Sequence, residues 1–196
     1  AYANRAIIKL RAKDTNGAIE DAEMSVSLKP HLTQMWKILS SLYQADNNLS
    51  DAIEALRNAH QNEPENTDLM IHLGTLLRQN NEAPEAIPLL EKVTEVASKN
   101  ASAWTNLGAA LQQENRITDA KKAYQQALAL NPKSTFITSK LVAMAVETGE
   151  WELARRYLEK ALEIEPNIAE THGNLGNVYQ ELGKFKEAEA SYLQAI

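Results

Sequence analysis

Four histidines and a large set of carboxylates are the side chains of this sequence that could do acid–base or metal chemistry. His31, His60, His72 and His172 are never three or four residues apart, and no HExxH pattern occurs. No pair therefore has the spacing that places two imidazoles on one side of a helix to bind zinc. The patterns GxGxxG, GxxxxGK[ST] and GxSxG are also absent, and there is no cysteine, so phosphate-binding loops and thiol or serine nucleophiles find no support. We expect no enzymatic activity, no catalytic residue, no metal site and no cofactor.

The composition is that of an ordinary globular protein and excludes two classes of partner. Apolar residues make up 44% and charged residues 23% of the 196 residues, with a formal net charge of −6, which argues against a general nucleic-acid binder. No uncharged stretch approaches the roughly 20 apolar residues of a membrane span. The sequence begins without methionine and shows no signal-peptide pattern, so we interpret it as a segment of a longer chain. It does not assign a compartment, for which the cytoplasm is the default expectation.

A 34-residue period runs through the chain. Pro30 and Pro64 are 34 residues apart, and so are Pro132 and Pro166. One alanine series keeps the same spacing: Ala18, Ala52, Ala86, Ala120, Ala154 and Ala188. A second series is rich in residues that tolerate the left-handed conformation ending a helix: Lys13, Asn47, Asn81, Asn115, Gly149 and Gly183. The sequence is therefore an array of repeats.

Each repeat predicts two helices, here called helix A and helix B. Apolar residues fall at helical spacing in each half, for example Trp104, Leu107 and Leu111 in helix A. Small residues, glycines in helix A and the alanine series in helix B, would let the two helices approach closely. One pair cannot bury its own apolar face, so successive pairs should stack.

The pattern resembles the tetratricopeptide (TPR) family. The resemblance is carried by Trp104-x2-Leu107-Gly108-x2-Leu111, by Ala120-x3-Tyr124 and by Pro132. It extends over the whole chain and implies an all-α fold of helix-turn-helix repeats, stacked as a right-handed superhelical solenoid. The implied single domain comprises six repeats, with boundaries at 1–32, 33–66, 67–100, 101–134, 135–168 and an incomplete 169–196.

The resemblance also implies a peptide-binding groove. In TPR proteins, helix A lines a concave surface with a stripe of side chains at positions 2, 5, 9 and 12, beside position 6, where this chain has several asparagines. An asparagine amide both donates and accepts hydrogen bonds, which suits the backbone of an extended peptide. The candidate groove residues are Lys37, Gln44, Thr75, Arg78, Asn106, Gln112, Lys140, Asn174, Asn177 and Gln180. The expected function is a non-catalytic scaffold that binds a peptide segment of a partner protein.

Two alternatives remain open at this stage. Asn106 and Asn174 match the asparagine ladder of TPR arrays that recruit substrates for glycosyl-, sulfo- and methyltransferases, although the ladder is interrupted at other repeats. The apolar edge at Tyr192, Leu193 and Ile196 could instead serve self-association, and it leads us to expect further repeats beyond residue 196. A clamp for a terminal carboxylate, which the resemblance to co-chaperone repeats would imply, is disfavoured because Gln34 and Ile38 occupy the positions of its lysine and arginine.

The third repeat departs most from the pattern. Ser98 replaces its proline, and its helix B contains both Pro84 and Pro88. An interior proline deletes one helical hydrogen bond and costs up to about 3 kcal/mol. The departure has two interpretations, a hinge in the array or a tolerated local kink.

Overall fold

The computed structural model describes all 196 residues and contains twelve α-helices and no strand. The helices are α1 (Tyr2–Arg11), α2 (Thr15–Leu28), α3 (Thr33–Ala45), α4 (Leu49–Asn62), α5 (Thr67–Gln79), α6 (Ala83–Val96), α7 (Ala101–Gln113), α8 (Ile117–Leu130), α9 (Thr135–Glu147), α10 (Trp151–Ile164), α11 (Ala169–Glu181) and α12 (Phe185–Gln194). Odd-numbered helices are the A helices and even-numbered helices the B helices. The predicted all-α fold with two helices per repeat is confirmed.

The turn between the two helices of every repeat contains one residue with a positive φ. These φ angles are 63° at Lys13, 57° at Asn47, 61° at Asn81, 57° at Asn115, 70° at Gly149 and 71° at Gly183. The series read from the sequence is therefore confirmed at all six positions. Lys13 is the one member of the series that is neither glycine nor asparagine, the residue types that adopt this left-handed conformation most readily.

Close contact between helix A and helix B depends on a small residue facing a large one. A Cβ added to Gly108 of α7 would lie 2.9 Å from the ring of Tyr124 on α8, and one added to Gly74 would lie 2.9 Å from Leu90. The same pairing recurs between Gly176 and Tyr192. The five alanines of the series from Ala18 to Ala154 are 0% exposed. The predicted role of the small residues is confirmed.

The loop proline of a repeat is tied to helix A of the next one. The indole N–H of Trp36 donates to the carbonyl oxygen of Pro30 at 2.8 Å. His172 occupies the same repeat position, and its Nε2 lies 2.7 Å from the carbonyl oxygen of Pro166. His172 therefore has a structural partner, as expected for a residue that replaces tryptophan in the pattern.

The chain divides into two compact units, Ala1–Ser98 and Lys99–Ile196. Each unit contains three helix pairs. Within the first unit α2 packs on α3 and α4 on α5, and within the second α8 packs on α9 and α10 on α11. In each unit, then, a B helix is covered by the A helix of the next repeat, as stacking requires.

Helix α6 accommodates its two prolines without a break. It runs continuously from Ala83 to Val96, with Pro84 in the first turn and Pro88 in the interior. The side chain of Pro88 is exposed, so its ring avoids the packed face. Because Pro88 has no amide hydrogen, the carbonyl of Pro84 lacks its helical donor. The hinge stays a prediction.

Amide hydrogen exchange should be faster in α6 than in α4, its counterpart in the preceding repeat. Substituting Pro88→Ala restores one backbone donor at an exposed position and should slow exchange in α6 selectively. Exchange followed by mass spectrometry measures both effects. Equal rates in α4 and α6, unchanged in the variant, would rule out a weak point in this helix.

The first repeat replaces an apolar contact by a charge cluster around a buried carboxylate. Arg5 occupies the position at which the other A helices have leucine. Its Nε donates to Asp21 Oδ2 at 2.6 Å, and Nζ of Lys9 lies 3.0 Å from the same oxygen. Asp21 is only 3% exposed. The hydrogen bond from Arg5, opposed by burial and assisted by Lys9, lowers the pKa of Asp21 to about 2.

This cluster should make the stability of the folded chain decrease in acid. Because the carboxyl pKa is lower in the folded chain than the ordinary 3.8, the unfolded chain binds its proton more readily. The stabilisation is complete above that ordinary value and is lost as the pH falls from about 4 to about 2. The variant Asp21→Asn should therefore show a shallower decrease of the urea midpoint across this range. If the urea midpoint decreased equally steeply with falling pH in both proteins, groups other than Asp21 would cause the acid sensitivity.

Candidate functional site

The first unit has an open cavity of about 340 Å³ that is lined mainly by its A helices. Its lining comprises Leu10, Thr15, Gln34, Lys37, Ile38, Ser41, Leu42, Ala45 and His72. The predicted residue Lys37 is thus part of the lining and is its one ammonium group. Nε2 of Gln44, another predicted residue, lies 3.4 Å from Nε2 of His72. Burial, assisted by the charge of Lys37, lowers the pKa of His72, which favours a neutral imidazole beside the amide.

The other two predicted residues of this unit lie outside that lining. Thr75 donates its hydroxyl hydrogen to the carbonyl oxygen of Ile71 at 2.7 Å, within its own helix. Arg78 lies in the last turn of α5. The structure therefore brings Lys37 and Gln44 close to one cavity but does not add Thr75 and Arg78 to it.

A larger cavity of about 700 Å³ opens in the second unit between α9, α10 and α11. Its lining comprises Thr135, Thr138, Ser139, Val142, Ala143, Val146, Trp151, Leu158, Ala161, Ile168, Glu170, Thr171, Asn174, Asn177, Val178, Gln180 and Glu181. Three of the predicted residues, Asn174, Asn177 and Gln180, share this wall. We call this cavity the α9–α11 groove.

Two tyrosines of the B helices orient amides of the A helices. The hydroxyl of Tyr192 lies 2.8 Å from Oδ1 of Asn177 and 3.2 Å from Oε1 of Gln180. The hydroxyl of Tyr124 lies 3.3 Å from Oε1 of Gln112. A hydroxyl that donates to an amide oxygen directs the amide N–H groups away from itself. These tyrosines were not among the predicted site residues, although their spacing of twelve from a glutamine recurs in the sequence.

Asn106 and Lys140, the remaining predicted residues, do not line the α9–α11 groove. Nδ2 of Asn106 donates to the carbonyl oxygen of Ser102 at 3.1 Å, one turn earlier in α7. Nζ of Lys140 lies 5.5 Å from the ring centroid of Phe136, a cation–π distance. The asparagine ladder implied by the resemblance is therefore represented in this groove by Asn174 alone.

The groove floor contains residues that the helix A pattern could not identify. Trp151, Leu158 and Ala161 belong to α10, a B helix, and form part of the lining. Leu158 is 2% exposed because it packs beneath the gap between two A helices. The floor is apolar, whereas the α11 wall presents amides.

The C-terminal helix carries an exposed apolar surface. Phe185 is 69% and Leu193 65% exposed, and both line a cavity of about 330 Å³ with Ala188 and Tyr192. Self-association through this edge stays a prediction.

The structure contains neither a metal-binding cluster nor a membrane-spanning helix. No group of three or more His, Asp and Glu residues is arranged to hold a metal ion. None of the twelve helices is both long enough and apolar enough to cross a lipid bilayer.

Comparison with protein families gives three matches of the same kind. Family models described as tetratricopeptide repeat match residues 43–111, 101–134 and 134–196. Together these matches extend from residue 43 to residue 196. No curated protein sequence matches the chain.

Solved structures with a similar fold include several bacterial proteins. MamA is 24% identical with a TM-score of 0.72, over 80% of this chain and 92% of MamA. PilF of Pseudomonas aeruginosa is 17% identical with a TM-score of 0.73, over 98% of this chain and 88% of that one. YrrB, described as a TPR protein with an unusual peptide-binding site, is 20% identical with a TM-score of 0.71, over 85% and 86% of the two chains. At these identities the likeness establishes the fold.

Proposed function

Because this chain belongs to the tetratricopeptide repeat family, we propose that it is a non-catalytic interaction module that binds an extended peptide segment of a partner protein on its A helices. The proposal rests on one observation above all, the α9–α11 groove with its amide wall. Its volume of about 700 Å³ lies in the range of ligand-binding cavities, about 300–1,000 Å³.

The amide wall fits the backbone of an extended peptide. Such a backbone has unpaired N–H and C=O groups in alternation, and each asparagine or glutamine amide can serve both kinds. The hydroxyl of Tyr192 can donate its one hydrogen to Oδ1 of Asn177 or to Oε1 of Gln180, and the amide that accepts it keeps its N–H groups free to donate to a peptide carbonyl. These contacts to the peptide backbone do not by themselves depend on the peptide's side chains.

The neighbouring structures support a binding role in general terms. YrrB is described as having a peptide-binding site, and PilW, 19% identical with a TM-score of 0.71, is described as a type IV pilus biogenesis factor. Neither description names a partner for this chain. A recruiting arm of a larger transferase would use the same amide wall, so that alternative shares the binding prediction.

Removing two amides should weaken peptide binding without unfolding the chain. We expect Asn174→Ala with Asn177→Ala to raise the dissociation constant of a peptide selected from a random nonapeptide display library. At about 0.5–1.5 kcal/mol for each net hydrogen bond, the increase should be about 5- to 150-fold. Fluorescence anisotropy with the labelled peptide gives the constants, and circular dichroism verifies helicity.

A matched variant removes the same number of amides elsewhere. Gln61 on α4 and Gln126 on α8 are exposed and lie outside the lining of the α9–α11 groove, so Gln61→Ala with Gln126→Ala should bind like the parent chain. Equal affinities for all three proteins would place binding outside this amide wall.

The exposed apolar surface of α12 favours self-association as a second candidate function. Phe185 and Leu193 are large and mostly exposed, a feature associated with protein interfaces. Static light scattering would show a mass that rises with concentration if this surface pairs two copies. Substituting Leu193→Lys would then restore the monomer mass.

A further inference from the structure

The floor and the wall of the α9–α11 groove differ in chemical character. Val142, Leu158 and Val178 are 8%, 2% and 2% exposed and lie under the opening. Side chains of an extended peptide alternate between its two faces. If the α11 amides hold the backbone, every second side chain faces this aliphatic floor. The cavity of about 700 Å³ above this floor has room for an aliphatic anchor.

The charged residues of the groove are all of one sign. Glu170 and Glu181 are the charged members of its lining, and both are exposed. Eleven residues separate them along α11, which corresponds to about 16 Å at the 1.5 Å rise of a helix. The groove thus has a carboxylate towards each end. Lys140 of α9 lies at the ring of Phe136 and is not part of the lining.

The first unit provides an internal comparison. Its cavity is lined by one ammonium group, Lys37, and by no carboxylate. An acidic lining is therefore a property of the α9–α11 groove and not a uniform consequence of the chain's net charge of −6.

We propose that the α9–α11 groove selects a cationic peptide segment in which an aliphatic side chain enters the floor and a lysine or arginine two or three residues away pairs with Glu170 or Glu181. This inference rests on the proposed function and specifies its ligand. The spacing follows from geometry, since two or three extended residues span about 7–10 Å, roughly half the separation of the two carboxylates.

An oriented peptide library tests the selection. The probe is a set of nonapeptides with Leu, Phe, Ser or Asp fixed at the centre and Lys, Ser or Glu fixed two residues away. The parent chain should retain the Leu–Lys sublibrary about two- to tenfold over Leu–Ser, the range expected for one or two exposed ion pairs. The variant Glu170→Lys with Glu181→Lys should instead prefer Leu–Glu.

Two further variants serve as controls. Glu163 and Glu187 are exposed and lie outside the groove lining, so Glu163→Lys with Glu187→Lys makes the same change in net charge and should keep the Leu–Lys preference. Ala143 is exposed on the groove wall, and Ala143→Phe should fill the space for the anchor. Losing burial of an aliphatic side chain should reduce retention of all Leu sublibraries about 10- to 150-fold.

The outcomes separate this inference from the proposed function. Retention of no sublibrary by the parent chain would contradict both. Retention that prefers Glu or shows no preference, or that is unaffected by Ala143→Phe, would contradict the inference alone. The same loss of preference in the groove variant and in the Glu163/Glu187 variant would also overturn it, because net charge would then explain the selection.

Discussion

The substitution Tyr124→Ala is expected to lower the free energy of unfolding by about 3–5 kcal/mol, the usual cost of truncating a buried aromatic side chain. Tyr124 is 0% exposed and is the largest of the fully buried side chains. Its ring lies against Gly108, where no Cβ is available to fill the space left by truncation. The cavity would therefore lie between α7 and α8 and would not collapse easily. Urea denaturation followed by circular dichroism measures the loss.

The conservative variant Tyr124→Phe separates packing from hydrogen bonding. It keeps the ring and removes the hydroxyl that lies 3.3 Å from Oε1 of Gln112. We expect it to cost about 0.5–1.5 kcal/mol. If both variants lost the same free energy, the hydroxyl and not the ring would be the main contribution of this residue.

Overpacking the same contact is expected to have the second largest effect. Gly108→Leu places a side chain where even a Cβ would lie 2.9 Å from Cδ1 of Tyr124. Leucine is the better helix former by roughly 1 kcal/mol, so a loss of stability would come from steric conflict. We expect a net loss of about 1–3 kcal/mol, measured by the same denaturation experiment.

Gly173 provides the matched control for this substitution. It also lies inside a helix, α11, but a Cβ there would meet only the Cβ of Ala195, at 4.0 Å. Gly173→Leu should therefore keep the gain in helix propensity and raise stability slightly. If both variants lost a similar free energy of unfolding, steric conflict with Tyr124 would not be the cause of the loss in Gly108→Leu.

The 34-residue period was sufficient to predict the two-helix repeats and their turns. Asn47 and Gly183 have the positive φ that their residue types indicated. This could be predicted because a positive φ limits which residue types can occupy the position. The contact of Gly108 with Tyr124 could be anticipated for a similar reason, since only a glycine leaves room for a ring at that distance. Backbone and steric requirements of this kind leave a signature in one sequence.

The contacts that individual side chains make were harder to predict from the sequence. Helical spacing placed Asn106, Lys140 and Asn174 on A helices, but it could not show that Asn106 bonds its own helix or that Lys140 lies on Phe136. Rotamers decide these contacts, and they depend on neighbours from other helices. The apolar floor was missed for a related reason, because Leu158 belongs to a B helix and reaches the groove only through packing.

One residue links the packing of the second unit to its proposed binding surface. The ring of Tyr192 packs on Gly176. Its hydroxyl lies within hydrogen-bond distance of the amide oxygens of Asn177 and Gln180. The fold thus places one hydroxyl donor beside two of the groove amides. A rigid set of donors loses less conformational entropy on binding than a flexible one.

Side-chain amide resonances offer the most direct test of peptide binding on the A helices. In a titration of the ¹⁵N-labelled chain with a peptide selected from the library, the NH₂ resonances of Asn174, Asn177 and Gln180 should shift and saturate together. Those of Gln61 on α4 and Gln126 on α8 should remain in place. Saturable shifts confined to α8, α10 or α12, with the three groove amides unchanged, would contradict peptide binding on the A helices.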